Sequence, residues 1–383
     1  MLGIQRAHLI PSAYVERNRV KTGYERVLAQ YCSRRFTGVA DKNGKVTAID
    51  TTAQTVEVKY DDGTVDVFGY GEVYNEHESV CSTGQLVCNV KVGDKVKRGD
   101  IITYDKTFFT KDKYTNQVDY TTGITANTVL METDTTLEDA ACISKRLSEK
   151  LAIRPVNTRV IRLSKNSVVL QSVGVGAVVS HTDKLMIFEE DVAFNNGDTE
   201  DPISTFKGDD ETLELLGDLN KRTPTAKFAG QIVRIDAHYG GALTDMHPSL
   251  QRIVKAANTV NARRAMNAKG TLAEQDFPPP TAIPTGTKAY GVDFDDDTVV
   301  ITFYIQEHQN MQVGDKCVLS LQLKHTISSI MPMPQYTGDG EEIDVVFSAD
   351  ALGRRIVLSP TYIGILNRIL SKLESDCIKL YFG

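Results

Sequence analysis

A chain of 383 residues is long enough for two or three domains and a sizeable core. It is 41% hydrophobic and 24% charged, the balance of a globular protein, with no apolar run long enough to span a bilayer and no signal-like apolar N-terminus. The net charge of −7 hides an asymmetry: residues 189–214 hold ten acidic residues and one lysine, a balance of −9, so the remainder is near +2 and the overall acidity does not exclude a nucleic-acid partner elsewhere on the chain.

The six cysteines are scattered with no CxxC pair, which excludes a zinc ribbon or a disulfide framework and fits a reducing compartment. Residues 1–35 carry seven Arg/Lys against two Glu and show no clean period, being interrupted at Pro11 and Gly23. Residues 36–123 read as short strands with turn signals at Lys42-Asn43-Gly44 and Asp61-Asp62-Gly63, then Val92-Gly93-Asp94-Lys95 and Arg98-Gly99-Asp100, the pattern of a small β-barrel or sandwich.

Within 124–188, a strand over Thr128–Met131 enters a polar loop, and Leu137-Glu138-Asp139 is expected to open an amphipathic helical segment with acids in its first turn. Adjacent carboxylates repel unless a cation or hydrogen-bond donors stabilise them, so helix capping and cation binding are both open for this pair. Strand-rich sequence follows to residue 188. Residues 189–286 change character: an acidic stretch, a strand at Gln231–Ile235, a helix near His247–Ala268 with the apolar stripe Ile253, Val254, Ala257 and Val260, then a stiff Pro278–Pro280 linker. This region is expected to be an α+β insertion between two halves of one barrel.

Residues 287–360 return to strands and contain Val313-Gly-Asp-Lys316-Cys-Val-Leu-Ser-Leu-Gln-Leu-Lys324-His-Thr-Ile-Ser-Ser-Ile330. The turn Gly314-Asp315 is followed by two lysines eight apart in a mostly apolar frame. Two ammonium groups on a rigid frame suit phosphates; a turn lysine and an edge-strand lysine, both solvated, are the plain alternative. Asp293-Phe294-Asp295-Asp296-Asp297 reads as an acidic turn into the strand Val299–Tyr304, since no glycine is present to let a backbone fold around a metal. An amphipathic helix is expected at 361–383.

The lysine stretch resembles GDKxxxRHGxKGxIxxI of the β subunit of multisubunit DNA-directed RNA polymerases. Gly314-Asp315-Lys316, Lys324, Ile327-Ser328 and Ile330 match, and Ser320-Leu321-Gln322-Leu323 stands where the family has Arg-His-Gly-Asn. Val129 through Arg146 is similar to FMPWNGYNFEDSILISER, with Glu138-Asp139, Ile143-Ser144 and Arg146 identical. Ile4-Gln5-Arg6 with Pro11, and Thr22-Gly23-Tyr24-Glu25, resemble MQRQAVP and a TGxE turn. The segment 36–105 resembles GGxVxxxD and GxxVxxGDxLAD. Met333-Pro334, Gly338, Ile343-Asp344-Val345 and Arg354-Arg355-Ile356 resemble DMPxxxxGxxxDIVLNPxGVPSRM, with Ser348-Ala349 in place of Asn-Pro. These five segments are collinear over about nine-tenths of the chain.

The resemblance implies the C-terminal part of a β subunit encoded as its own polypeptide, similar to the split polymerases of giant bacteriophages. The implied fold is mainly β with some α: an active-centre-proximal segment (1–35), a small β-barrel/sandwich hybrid domain (36–123), a double-psi β-barrel in two halves (124–188 and 287–360), the acidic and helical insertion (189–286) and a C-terminal helix (361–383). Lys316 and Lys324 would then hold the RNA 3′-end and adjoining phosphates, and Arg355 the triphosphate. Glu138 and Asp139 would orient nucleotide-bound Mg²⁺ through water, with Gln5 and Arg6 near the nucleic acid. No residue here is expected to ligate a metal directly: Mg²⁺ would be held mainly by a β′-like partner subunit bearing DFDGD. Further partners would be an N-terminal β fragment, template DNA, RNA and NTPs, with no membrane, in the cytoplasm of a bacterial host cell or packaged in a virion. The alternative is a non-catalytic β-barrel structural or assembly protein that has kept the fold.

Overall fold

The computed structural model describes residues 12–17, 19–21, 23–51, 54–77, 80–121, 123–190, 221–271, 281–289, 291–320, 323–354 and 358–382. It is mainly β, 39% strand and 19% helix, with curled half-barrel sheets.

Near the N-terminus a four-stranded sheet runs in the order Val65–Gly69, Thr55–Tyr60, Gly44–Asp50, Lys95–Val96. Alternation along these strands turns Val46, Val56, Val58 and Phe68 into one core. The turn signals act as read: Gly63 has φ +85 and closes the Tyr60–Thr64 hairpin. The Gly-Asp turns share one device. At 91–94, 97–100 and 312–315 a glycine with φ near +90 precedes an aspartate whose carboxylate accepts the backbone N–H three residues earlier, each bond 2.8 Å. The recurrence of Val-Gly-Asp-Lys is therefore a repeated turn.

The largest sheet is antiparallel, with Pro155–Ser164, Thr298–Gln306 and Gly230–Tyr239 at its heart. Thr298–Gln306 (TVVITFYIQ) is apolar over most of its length and buried on both faces, and it is a central strand, paired with Pro155–Ser164 on one side and Gly230–Tyr239 on the other. The helix Pro248–Thr271 lays Leu250, Val254 and Ala257 on this sheet, with Ile253 at the margin. Sheet membership therefore divides the chain differently from the expected barrel halves. Strands from 155–164 and 298–306 pair with each other and with 230–239. The expected insertion is integral to this second sheet: its strand Gly230–Tyr239 pairs along Thr298–Gln306, and Ile232 and Ala237 are buried in the same core. Residues 191–220, the acidic stretch, lie outside the described residues.

A five-stranded mixed sheet draws on both ends of that span, in the order Thr128–Leu130, Val345–Phe347, Ala140–Ile143, Leu323–Ile330, Lys316–Leu319. Thr128–Leu130 runs parallel to Val345–Phe347, and Ala140–Ile143 parallel to Leu323–Ile330. Its inner face packs Ala141, Ile143, Leu323, Ile327, Val345 and Phe347 against Leu147 and Ala351. The C-terminal helix forms as expected over Ser359–Phe382, although Tyr362, Ile365, Leu366, Ile369 and Leu373 along it are exposed. Among the described residues no helix is long and apolar enough to cross a membrane. Cys32, Cys88, Cys142, Cys317 and Cys377 are free thiols.

Candidate functional site

The lysine hairpin is set by alternation. In Leu323–Ile330 the residues Leu323, His325 and Ile327 are buried and Lys324 is exposed between them. Lys316 pairs with Thr326 and Val318 with Lys324, so Lys316, Val318, Lys324 and Thr326 share the outer face. The two lysines are diagonal neighbours, roughly 7–8 Å apart for such a pair, and both are exposed. The turn Gln312–Asp315 aims the first strand, and Ser320, with φ +56, begins the reversal to the second.

Glu138 and Asp139 come up beside the strand that carries Lys324 from a different part of the chain, but not on a helix. The expected helix start is displaced: Ala140–Ile143 is a strand, since Ala141 and Ile143 alternate into the core, and the helix is Lys145–Lys150. Ser144 caps it, accepting the Leu147 N–H at 3.0 Å. The two acids end the loop before the strand. The Asp139 carbonyl accepts the Thr326 N–H at 2.9 Å, and Thr326 is also the register partner of Lys316. Both acids are exposed, and Glu138 has φ +55, a left-handed conformation unfavourable for any residue with a Cβ. Backbone strain of this kind persists only where surrounding contacts enforce it.

His325, between Lys324 and Thr326 in sequence, faces inward. Its Nδ1–H donates to the Leu323 carbonyl at 2.9 Å, and its ring packs edge-on to Phe347 with centroids 5.4 Å apart. Burial pushes its pKa down, while the Leu323 carbonyl and the Asp139 charge pull it up less strongly. A neutral imidazole thus backs the strand that carries Lys324.

The loop 131–139 has a second attachment. Glu132 accepts the Ser348 hydroxyl and the Asp350 N–H, each at 2.8 Å, at the start of the short helix Ala349–Gly353. Those two donors hold its carboxyl below the usual range. Ser348 also caps that helix by accepting the Ala351 N–H at 2.9 Å, which accounts for a Ser-Ala pair at 348–349. The helix leads to Arg354; Arg355, Gln5 and Arg6 lie outside the described residues.

Beneath the site, Asp344 is buried and accepts Arg146 Nη2 at 2.6 Å and Nε at 3.1 Å, with the Asn127 N–H at 2.9 Å on its other oxygen. Arg146 also reaches Glu342 at 2.9 Å. This clamp ties the entry to Thr128–Leu130, the exit of Ala140–Ile143 and the approach to Val345–Phe347. Sequence reading assigned no role to Arg146 or Asp344. The signal was present in a lone arginine just inside a helix and an aspartate before an apolar triplet.

The acidic run 293–297 behaves as a turn. Phe294 is buried with Ile283 and Val300, Asp295 accepts the Thr298 hydroxyl, Asp296 accepts Thr285 Oγ1 at 2.6 Å, and Asp297 accepts the Lys165 N–H at 3.1 Å. Gly240 is required beside it, because a Cβ there would lie 2.0 Å from the Asp295 carbonyl oxygen. Among the described residues, no three His, Cys, Asp or Glu side chains converge as a metal-ligand set. Clefts of about 260 and 400 Å³ lie at Lys21–Asp119 and at Lys165–Asp297, and neither is lined by Lys316 or Lys324. Exposed lysines can bind phosphates, and exposed carboxylates can bind hydrated cations. No protein-family model matches this chain, and no curated protein matches it.

Proposed function

We propose that this chain is a C-terminal β-subunit portion of a multisubunit DNA-dependent RNA polymerase, built on a double-psi β-barrel. The observation that carries the reading is that Lys316 and Lys324 share the outer face of one hairpin, and that the loop bearing Glu138 and Asp139, far away in the chain, is bonded to that hairpin through the Asp139 carbonyl and the Thr326 N–H. The crossed parallel pairings of that sheet are compatible with the proposed barrel.

Nucleotidyl transfer drives an RNA 3′-hydroxyl onto the α-phosphate of an NTP, and negative charge grows on the phosphate oxygens. Lys316 and Lys324, held on a rigid hairpin, bind the RNA 3′-end and adjacent phosphates without reorganising as that charge develops. Arg355 clamps the triphosphate through its planar fork. Glu138 and Asp139, both exposed, fit contact through water with the hydrated cation of the incoming nucleotide. Mg²⁺ would be held mainly by a β′-like subunit with DFDGD, and when bound would supply Lewis-acid activation of the attacking oxygen and charge stabilisation at the leaving group. By the resemblance alone, Gln5 and Arg6 would be proximal to the nucleic acid.

The test is reconstitution. Co-expression with a DFDGD-bearing partner and an N-terminal β fragment should give a complex that extends an RNA primer on template DNA, while the purified chain alone extends none. A complex that forms but incorporates no nucleotide would leave the structural or assembly role in its place. Extension by the chain alone would return Asp293–Asp297 to consideration as the metal site.

A further inference from the structure

The five-stranded sheet carries an irregularity beside the candidate site. Ala140 and Ala141 pair in parallel with Thr326 and Ile327, but Cys142 pairs with Ser329. Ser328 is therefore an extra residue, a bulge in a parallel ladder, where bulges are uncommon and serve to re-aim a side chain. The re-aimed hydroxyl lies between two carbonyl oxygens, those of Thr135 and, at 3.0 Å, Ala141.

Thr135 begins the arch that delivers the two acids. Thr136 is fully buried; its hydroxyl donates to the Met131 carbonyl at 2.9 Å and accepts the Thr133 N–H at 2.8 Å. Leu137 and Glu138 follow, and the Asp139 carbonyl then accepts the Thr326 N–H. Both feet of the arch thus stand on one strand: Thr135 on Ser328 and Asp139 on Thr326. Only three residues lie between the feet, and the left-handed Glu138 is one of them. A side chain with a Cβ keeps that conformation only while both ends are pinned.

We propose that Ser328 is a positioning residue: its bulged hydroxyl closes the 135–139 arch and so fixes the backbone that carries Glu138 and Asp139 beside the strand bearing Lys324. The catalytic consequence rests on the polymerase reading, whereas the positioning itself does not. Without the hydroxyl the Thr135 foot is released and Glu138 relaxes out of the left-handed region.

Two measurements separate the two levels. In the full chain alone, hydrogen exchange of the 133–139 amides should accelerate about tenfold in Ser328→Ala, with exchange in Thr298–Gln306 unchanged. Ser328→Thr, which keeps the hydroxyl, should restore protection. Unaltered exchange at 133–139 in Ser328→Ala would overturn the proposal whatever the protein does. In the reconstituted complex, Ser328→Ala should raise the KM for Mg·NTP about tenfold, the loss typical when a supporting group is removed, with a smaller change in kcat. In a Glu138→Gln/Asp139→Asn background the same substitution should have almost no further effect. An equal loss in that background would mean that Ser328 does not act through the two acids, and the proposal would fail. If the wild-type complex incorporates nothing while Ser328→Ala still loosens the arch, the polymerase reading fails and the positioning stands.

Discussion

Lys324→Ala separates a functional lysine from a structural one. Lys324 is exposed on the outer face, diagonal to Lys316. Two unit charges about 7.5 Å apart in water repel by roughly 0.5 kcal/mol, and salt screens this further. Removing one should therefore leave the isolated chain's stability within about 0.5 kcal/mol of wild type, in keeping with exposed substitutions generally. The same change in the assembled enzyme removes a preorganised cation from an enclosed site and should slow extension by about 10²–10³, or roughly 2.7–4 kcal/mol of barrier. Urea unfolding followed by far-UV circular dichroism measures the first quantity, a suitable probe for a chain without tryptophan. Single-nucleotide addition in the complex measures the second. A stability loss above about 1 kcal/mol would mark Lys324 as part of the scaffold, and near-normal extension would remove its proposed role.

The Asp344 clamp predicts the opposite pattern. Asp344→Ala strips two bonds from Arg146 and one from the Asn127 N–H, but Arg146 is 41% exposed and regains water, so the cost should fall near 2–3 kcal/mol, below that of a fully buried pair. An unchanged urea midpoint would refute the clamp. His325 predicts a pH dependence whose sign follows from its depressed folded pKa: the unfolded chain binds the proton more readily, so this contribution is complete above about pH 6.5 and is lost as the pH falls below it. The gap in unfolding free energy between wild type and His325→Gln should therefore narrow between about pH 7.5 and pH 5.5. A gap independent of pH would show that burial does not hold the ring neutral.

Local patterns were legible where one window of residues held the whole cause. Leu323, His325 and Ile327 alternate with Lys324 and Thr326, so the hairpin's inner and outer faces could be read directly. Gly314-Asp315 announced its turn, and the apolar stripe of the 248–271 helix announced its buried side. The acidic run before Val299 read as a turn from its composition, and in the fold Asp295 accepts the nearby Thr298 hydroxyl while Asp296 and Asp297 accept donors from farther along the chain. The reading of Glu138-Asp139 as a helix start missed because acids before an apolar run suit either element. The choice went to a strand when Ala140–Ile143 found partners on both sides, at 323–330 and 345–347.

Read alone, the amino-acid sequence determined the turns, the face each lysine takes on its hairpin and the apolar segments that must be buried. Tertiary structure alone decided which sheet each strand joins, that the loop bearing the acids is bonded to the lysine hairpin, and that a one-residue bulge turns Ser328 toward that loop. The physical reason is register. Hydrogen-bond pairing between strands far apart in the chain depends on how two buried faces close on each other, and no local stretch of sequence contains both.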